Sequence, residues 1–275
     1  MQTLTEIFSS SYFLFALTGI ISGFLSGLLS IGGGFILVPA LIAIFTQYYN
    51  FEPHYAIQLI LGTTMSCMIF TAVTSTFLQN KKGAIYWEYI SKNWLFILAG
   101  TIAGVIITGF TSVLLIKLIF GAFCIYSGLK MIFKKLIVPH SDNCLKKSQV
   151  PSFMFGSLCG LIGVGGANVV VPFLLKRGIE LRRALGTASA FQVLVSIVGT
   201  VSYLTMGLVQ AKEVQVASGA IGYIFIPALV MITVFAIGFN KLGVSIAHSL
   251  PVDKLKKYFG VFTFLVGAKM LMGLV

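Results

Sequence analysis

Charge is what this chain lacks most. Only 9% of its 275 residues are charged, against roughly 25% in a soluble domain. Acidic residues are scarcer still: Glu6, Glu52, Glu88, Asp142, Glu180, Glu213 and Asp253. Each falls in a loop or near the end of an apolar run, as do His54, His140 and His248. Carboxylates within a membrane span mark proton relays and cation sites, so their absence argues against both. No His, Cys and Asp stand in a cluster that could run catalysis or hold a metal, which argues against an enzyme. The four cysteines show no CxxC spacing, and Cys67, Cys124 and Cys159 sit inside apolar runs as small buried side chains, with Cys144 apart. The net charge of +12 comes without a dense basic tract, so no nucleic-acid partner is expected. The first eleven residues hold Glu6 and no Lys or Arg, and no secretory signal is read there.

What the chain has instead is apolar length. Hydrophobic residues make up 57% of it, and its mean hydropathy is +1.00. A helix needs roughly 20 apolar residues to cross the hydrocarbon. Six runs meet that: about 56–78, 93–116, 117–133, 183–206, 214–239 and 257–275. Pro227 falls inside one of them and is expected to kink it. Lys130 and Lys269 lie near run ends and are expected to snorkel to the interface. Two further segments, 11–46 and 151–175, are interrupted by glycine, at Gly32-Gly33-Gly34 and at Gly165-Gly166-Ala167. Glycine weakens a helix by about 1 kcal/mol against alanine, so each segment reads as two half-helices.

These interrupted segments align without gaps. Gly27, Gly32, Gly33 and Pro39 match Gly160, Gly165, Gly166 and Pro172 at an offset of 133. Gly62-Thr63 matches Gly186-Thr187, and Gly121, Gly128 and Lys130 match Gly260, Gly267 and Lys269 at an offset of 139. The chain is therefore read as two half-units, 11–134 and 151–275, joined by a basic cytoplasmic linker at 135–150.

Basic residues decide the orientation of the halves. If every segment crosses once, Lys and Arg divide ten against nine. If the interrupted segments enter and leave on one face, only Lys117, Lys212 and Lys269 lie on one side and sixteen lie on the other, the cytoplasmic side. The second arrangement gives an all-α polytopic membrane protein of two inverted repeats. Each repeat has three full spans and one re-entrant hairpin, and both termini lie outside. Residues 151–162 fit this, since as helix they reach about 18 Å. The leading limb at 12–30 is long enough to cross alone.

Two hairpins dipping in from opposite faces would meet near the midplane. Each second half-helix starts at its glycines with unpaired N–H groups and the positive end of its dipole. Two such ends make an anion site without a buried lysine. The expected site is Gly32, Gly33, Gly34, Gly165, Gly166 and Ala167 by backbone. Thr63, Thr64, Ser66, Asn168, Thr187, Ser189 and Gln192 would add side-chain hydrogen bonds. The plainer role of isolated Gly, Ser and Thr is helix packing. Asn168 departs from the repeat, where Phe35 stands opposite.

The runs Gly23–Pro39 (GFLSGLLSIGGGFILVP) and Gly156–Pro172 (GSLCGLIGVGGANVVVP), with Gly62-Thr63-Thr64 and Gly186-Thr187-Ala188-Ser189, resemble the sulfite exporter TauE/SafE family of membrane transporters. The resemblance covers nearly the whole chain. It implies a multi-pass protein of the cell (inner) membrane that moves small sulfur-containing anions such as sulfite or sulfoacetate. Its partners would be that anion and the lipid bilayer, with no cofactor and no metal. A carrier for another solute, an organic carboxylate or a metal ion, is the alternative. A membrane enzyme or a non-transporting assembly factor are further competing classes.

Overall fold

The computed structural model describes residues 4–29, 33–49, 53–133, 148–210, 219–249 and 252–272. In the first half these form α1 (Leu4–Leu29), α2 (Gly34–Tyr48), α3 (Pro53–Lys81), α4 (Trp87–Phe110) and α5 (Val113–Phe133). In the second they form α6 (Gln149–Ile162), α7 (Ala167–Lys176), α8 (Leu181–Gln210), α9 (Ile226–Ser249) and α10 (Val252–Met272). A short antiparallel hairpin, β1 (Ala220–Ile221) and β2 (Ile224–Phe225), precedes α9. Six of the described helices are long and apolar enough to cross a membrane. The surface suits a lipid solvent: Phe110, Val209, Val234 and Leu95 stand exposed, while Gln58, Thr63, Thr64 and Ser66 are buried. The chain is an all-α polytopic membrane protein.

Five of the six match expected runs, and the sixth is α1, a limb of an interrupted segment. Of the expected run at 257–275, the described apolar stretch is Gly260–Met272, and residues 273–275 lie outside the described residues. Two boundaries also move. The expected 93–116 run ends at Phe110, because Ser112 starts α5 as a cap: its Oγ accepts the Leu115 N–H at 3.3 Å. The expected kink at Pro227 is absent. Helix α9 begins at Ile226, so Pro227 lies in the first turn, where an N–H has no helical acceptor to lose. Residues 134–147, which hold most of the expected linker at 135–150, and residues 211–218 lie outside the described residues.

Glycine contacts fix how the helices cross. Helix α1 runs parallel to α9, with Gly23 against the Ala236 backbone and Gly27 against Asn240. Helix α6 runs parallel to α4, with Gly156 against Ile97 and Gly160 against Thr101. The second pair of contacts repeats the first at offsets of 133 and 139. Helices α3 and α8 cross antiparallel, Gly62 near Tyr203 and Gly199 near Met65. So do α5 and α10, Gly121 near Leu271 and Gly128 near Phe264. Backbones this close allow dispersion contacts that side chains would prevent.

Each interrupted segment folds back on itself. The end of α2 returns to the beginning of α1: Tyr49 and Ser11 hydroxyls lie 3.3 Å apart, and the Phe45 and Phe15 rings are 6.4 Å apart. The end of α7 returns to α6 in the same way, with the Phe173 and Phe155 rings 5.4 Å apart. The limbs differ in length. Helix α1 has 26 residues, about 39 Å, and α6 has 14, about 21 Å. Gly33 lies beside Ser22 rather than beside the end of α1, so α1 overshoots its own turn by about 10 Å.

Candidate functional site

The two breaks are built from different turns. In the second half, Gly163 ends α6 with φ 69 and ψ 30, the left-handed conformation that glycine takes most readily, and its N–H is donated to the Cys159 carbonyl. Helix α7 then starts at Ala167, with Gly166 in ordinary right-handed geometry. In the first half it is Gly33, the position matching Gly166, that is left-handed, with φ 71. Gly32 lies outside the described residues. The Gly33 carbonyl accepts the N–H groups of Ile36 and Leu37, and Gly166 does the same for Val169 and Val170. The earlier N–H groups of each first turn have no helical acceptor, and they carry the positive end of the dipole. Pro39 and Pro172 lie at matching places inside α2 and α7. Each removes an N–H, so the carbonyls of Phe35 and Asn168 lose their helical donors.

The structure brings the two breaks together. A Cβ placed on Gly34 would lie 2.5 Å from the Gly163 carbonyl oxygen, 3.0 Å from Val164 Cα and 3.1 Å from Met68 Sδ. One on Gly163 would lie 2.5 Å from Leu61 Cδ2. The Phe191 ring covers Gly166. Both turns therefore fit against each other, and against α3 and α8, only without side chains.

Some buried polar groups without partners lie on the same elements, and others lie elsewhere, further along α3 at Thr76 and on α9 and α10 at Thr233 and Thr263. Both amide atoms of Asn168, Nε2 of Gln192 and Oγ1 of Thr64 are buried and make no hydrogen bond. Asn168 is 6% exposed, Gln192 1% and Thr64 not at all, so an unpaired polar atom there costs about 1–3 kcal/mol. Asn168 sits in the first turn of α7. Gln192 follows Phe191, whose ring lies on Gly166. Thr64 sits one turn after Leu61 and one before Met68, on the face of α3 that touches both breaks.

The other expected side chains are already engaged. Thr63 donates to the Leu59 carbonyl (2.6 Å) and accepts the Phe225 N–H (2.9 Å). Thr187 donates to the Arg183 carbonyl (2.7 Å) and accepts the Tyr86 N–H (2.9 Å). Each threonine thus holds the segment that leads into a helix of the opposite half. The glycine before each makes room: Gly62 meets the Tyr223 carbonyl and Gly186 the Ala84 carbonyl. Ser66 and Ser189 donate to the Gly62 and Gly186 carbonyls at 2.9 and 2.7 Å. At the Thr187 end, Lys82 is held below the ordinary lysine range, first by burial and then by Arg182.

Sequence reasoning missed Leu61, Met68 and Phe191. The offset of 124 that pairs Thr63 with Thr187 also pairs Met68 with the expected Gln192 and could have found Met68. Among the described residues no group of three or more His, Cys, Asp and Glu could hold a metal. Glu88 is exposed and paired with Lys92 at 2.7 Å, away from the breaks.

A family model described as sulfite exporter TauE/SafE matches residues 15–270. A "probable membrane transporter protein" of Haemophilus influenzae is 30% identical over 257 residues, covering 92% of this chain and 96% of the relative. Another of Methanocaldococcus jannaschii is 27% identical, covering 94% of this chain and 95% of the relative. A third, of Bacillus subtilis, is 23% identical, covering 95% and 97%.

Proposed function

The chain belongs to the sulfite exporter TauE/SafE family of membrane transporters, and on that premise we propose that it exports a small sulfur-containing anion, such as sulfite, sulfoacetate or a related sulfonate. The anion binds between the two helix breaks. The observation that carries this reading is the contact of Gly34 with Gly163, with the unpaired Asn168, Gln192 and Thr64 on the elements around it. Amide N–H groups and the positive helix ends suit an oxyanion. The backbone of Gly33, Gly34, Gly165, Gly166 and Ala167 contacts it, together with Asn168, Gln192 and Thr64. Thr63, Thr187, Ser66 and Ser189 support the site from behind.

In this reading the halves 11–134 and 151–275 are inverted repeats with re-entrant hairpins. Support comes from the equivalent helices: α3 and α8 run antiparallel, as do α5 and α10. A two-fold relation that reverses equivalent helices has its axis in the membrane plane. Both termini then lie outside the cytoplasm, a reading supported by the sixteen-to-three division of Lys and Arg. With the cytoplasm negative, expelling one negative charge gains about 2.3 kcal/mol per 100 mV. In proteoliposomes, sulfite or sulfoacetate efflux should rise when the lumen is made negative and fall when the voltage is reversed. Flux that ignores voltage defeats the voltage-driven export reading. Carboxylate analogues moving in place of either sulfur anion would reassign the substrate.

A further inference from the structure

A cleft of about 400 Å³ lies along α2, between it and α5 and α10. It begins at Phe35 and Ile36, the residues directly after Gly34, and follows α2 through Pro39 and Ala40 to Ala43. Across from α2 it is lined by Phe262, Val266 and Met270, and it contains two cations, Lys117 and Lys269. A second cleft of about 270 Å³ shares Lys117 and Ile42 and continues to Thr46 and Tyr49. Lys117 thus stands where the two spaces join. The antiparallel crossing of α5 and α10 puts Lys117, four residues after the start of α5, and Lys269, three before the end of α10, at the same end of the pair. Tyr49, the end of the returning α2, marks that end too.

Neither lysine has a carboxylate within ion-pair distance among the described residues, where the sole ion pair is Lys92–Glu88. Glu52 lies outside the described residues, and a single carboxylate would still leave the two lysines net positive. Lys117 is half-buried, which weakens its hydration and strengthens its attraction for an anion. Only three Lys or Arg fall on the outer side in the orientation argued above, Lys117, Lys212 and Lys269, and two of those three line this one cleft.

We propose that Lys117 and Lys269 form a second anion subsite on the outer side of the breaks, which receives the oxyanion as it leaves along α2. This rests on the export reading above and adds the exit route to it. The two ammonium groups take separate oxygens of one sulfonate or sulfite group. The apolar walls accommodate the carbon chain of an organic sulfonate, so sulfoacetate depends on this route at least as much as sulfite. The positive potential at the cleft draws the anion outward from a site that has no fixed charge of its own.

An anionic phospholipid headgroup offers the same chemistry, and the test separates the two sources. The full chain is reconstituted in vesicles of phosphatidylcholine alone and in vesicles that also contain phosphatidylglycerol, and half-saturation for sulfite and sulfoacetate is measured from each side. Lys117→Gln with Lys269→Gln should raise outer-side half-saturation by about tenfold in both lipids, with the single variants intermediate. Inner-side half-saturation should stay put, and the paired arginine variants should recover the wild-type value. Lys130→Gln, the repeat partner of Lys269 at the other end of the bundle, should change nothing. An effect confined to phosphatidylglycerol vesicles would assign the cleft to lipid. Unchanged outer half-saturation in vesicles where wild-type protein moves the anion would sink the subsite and leave the export reading standing. Wild-type protein that moves neither anion defeats both.

Discussion

Gly27 and Gly160 have the same task in the two halves, and Phe35 and Asn168 do not. Both glycines let a hairpin limb lie against the backbone of a helix from the opposite half, at Asn240 and at Thr101. At the breaks the likeness ends. The first half places Phe35 after its turn, packed 5.9 Å from the Phe120 ring, and Met68 beside Gly34. The second half has Asn168 and Gln192 at the matching positions, with buried amide atoms that bond to nothing. The left-handed glycine changes place as well, from Gly33 to Gly163. In the proposed reading, the repeat accounts for the shared scaffold and its divergence at the breaks for the binding chemistry. A binding site lying across a pseudo-two-fold axis can bind a small asymmetric ligand in one orientation only if its two sides differ.

That contrast can be broken in steps. The largest effect should come from the shared crossings: Gly27→Leu and Gly160→Leu each force a side chain into a backbone carbonyl. Each should cost about 3 kcal/mol, read as loss of folded protein in a detergent melt. If one is tolerated and the other is not, the halves are not packed alike. Next come the amides. Asn168→Ala with Gln192→Ala should weaken anion binding roughly 100-fold without lowering the melting temperature. The mirror-image change in the first half, Phe35→Ala with Met68→Ala, should lower the melting temperature instead. Equal loss of binding from both pairs would remove the asymmetry.

The threonines test the symmetric part more gently. Thr63→Val leaves the Phe225 N–H without its acceptor, and Thr187→Val does the same to Tyr86. Each should cost about 1–2 kcal/mol, and by similar amounts. Binding that falls while stability holds would place these hydroxyls at the anion. The smallest effect is expected at Gly238, in α9, where an added Cβ would meet nothing within 4 Å. Its repeat partner in α4 is Ala99, so the first half already carries the methyl group that the second half lacks. Gly238→Ala should stabilise the helix by about 0.5–1 kcal/mol, seen as a higher melting temperature.

Much of this was legible in the residues. Long apolar runs and scarce charge required a membrane protein, and the glycine-to-proline signature located both breaks to within a few residues. Ser112 was a readable cap that apolar counting passed over, since the run on either side is uniformly hydrophobic. Pro227 was misplaced because hydropathy does not register the small hairpin whose turn Gly222 makes with φ 57. Thr63 and Thr187 were rightly paired by the repeat, but pairing says nothing about what a hydroxyl bonds to.

The sequence by itself determined the solvent, the breaks and the register of the repeat, because hydropathy and glycine content act over a turn or two of chain. Only the tertiary structure decided that the halves exchange partners, α1 with α9 and α6 with α4. It also decided which polar side chains are spent on scaffolding and which remain unpaired. Thr63 meets Phe225 across 162 residues of chain, and Gly34 meets Gly163 across 129. Contacts at such separations form when whole helices pack, and no local pattern encodes which hydroxyl will find a backbone N–H waiting for it.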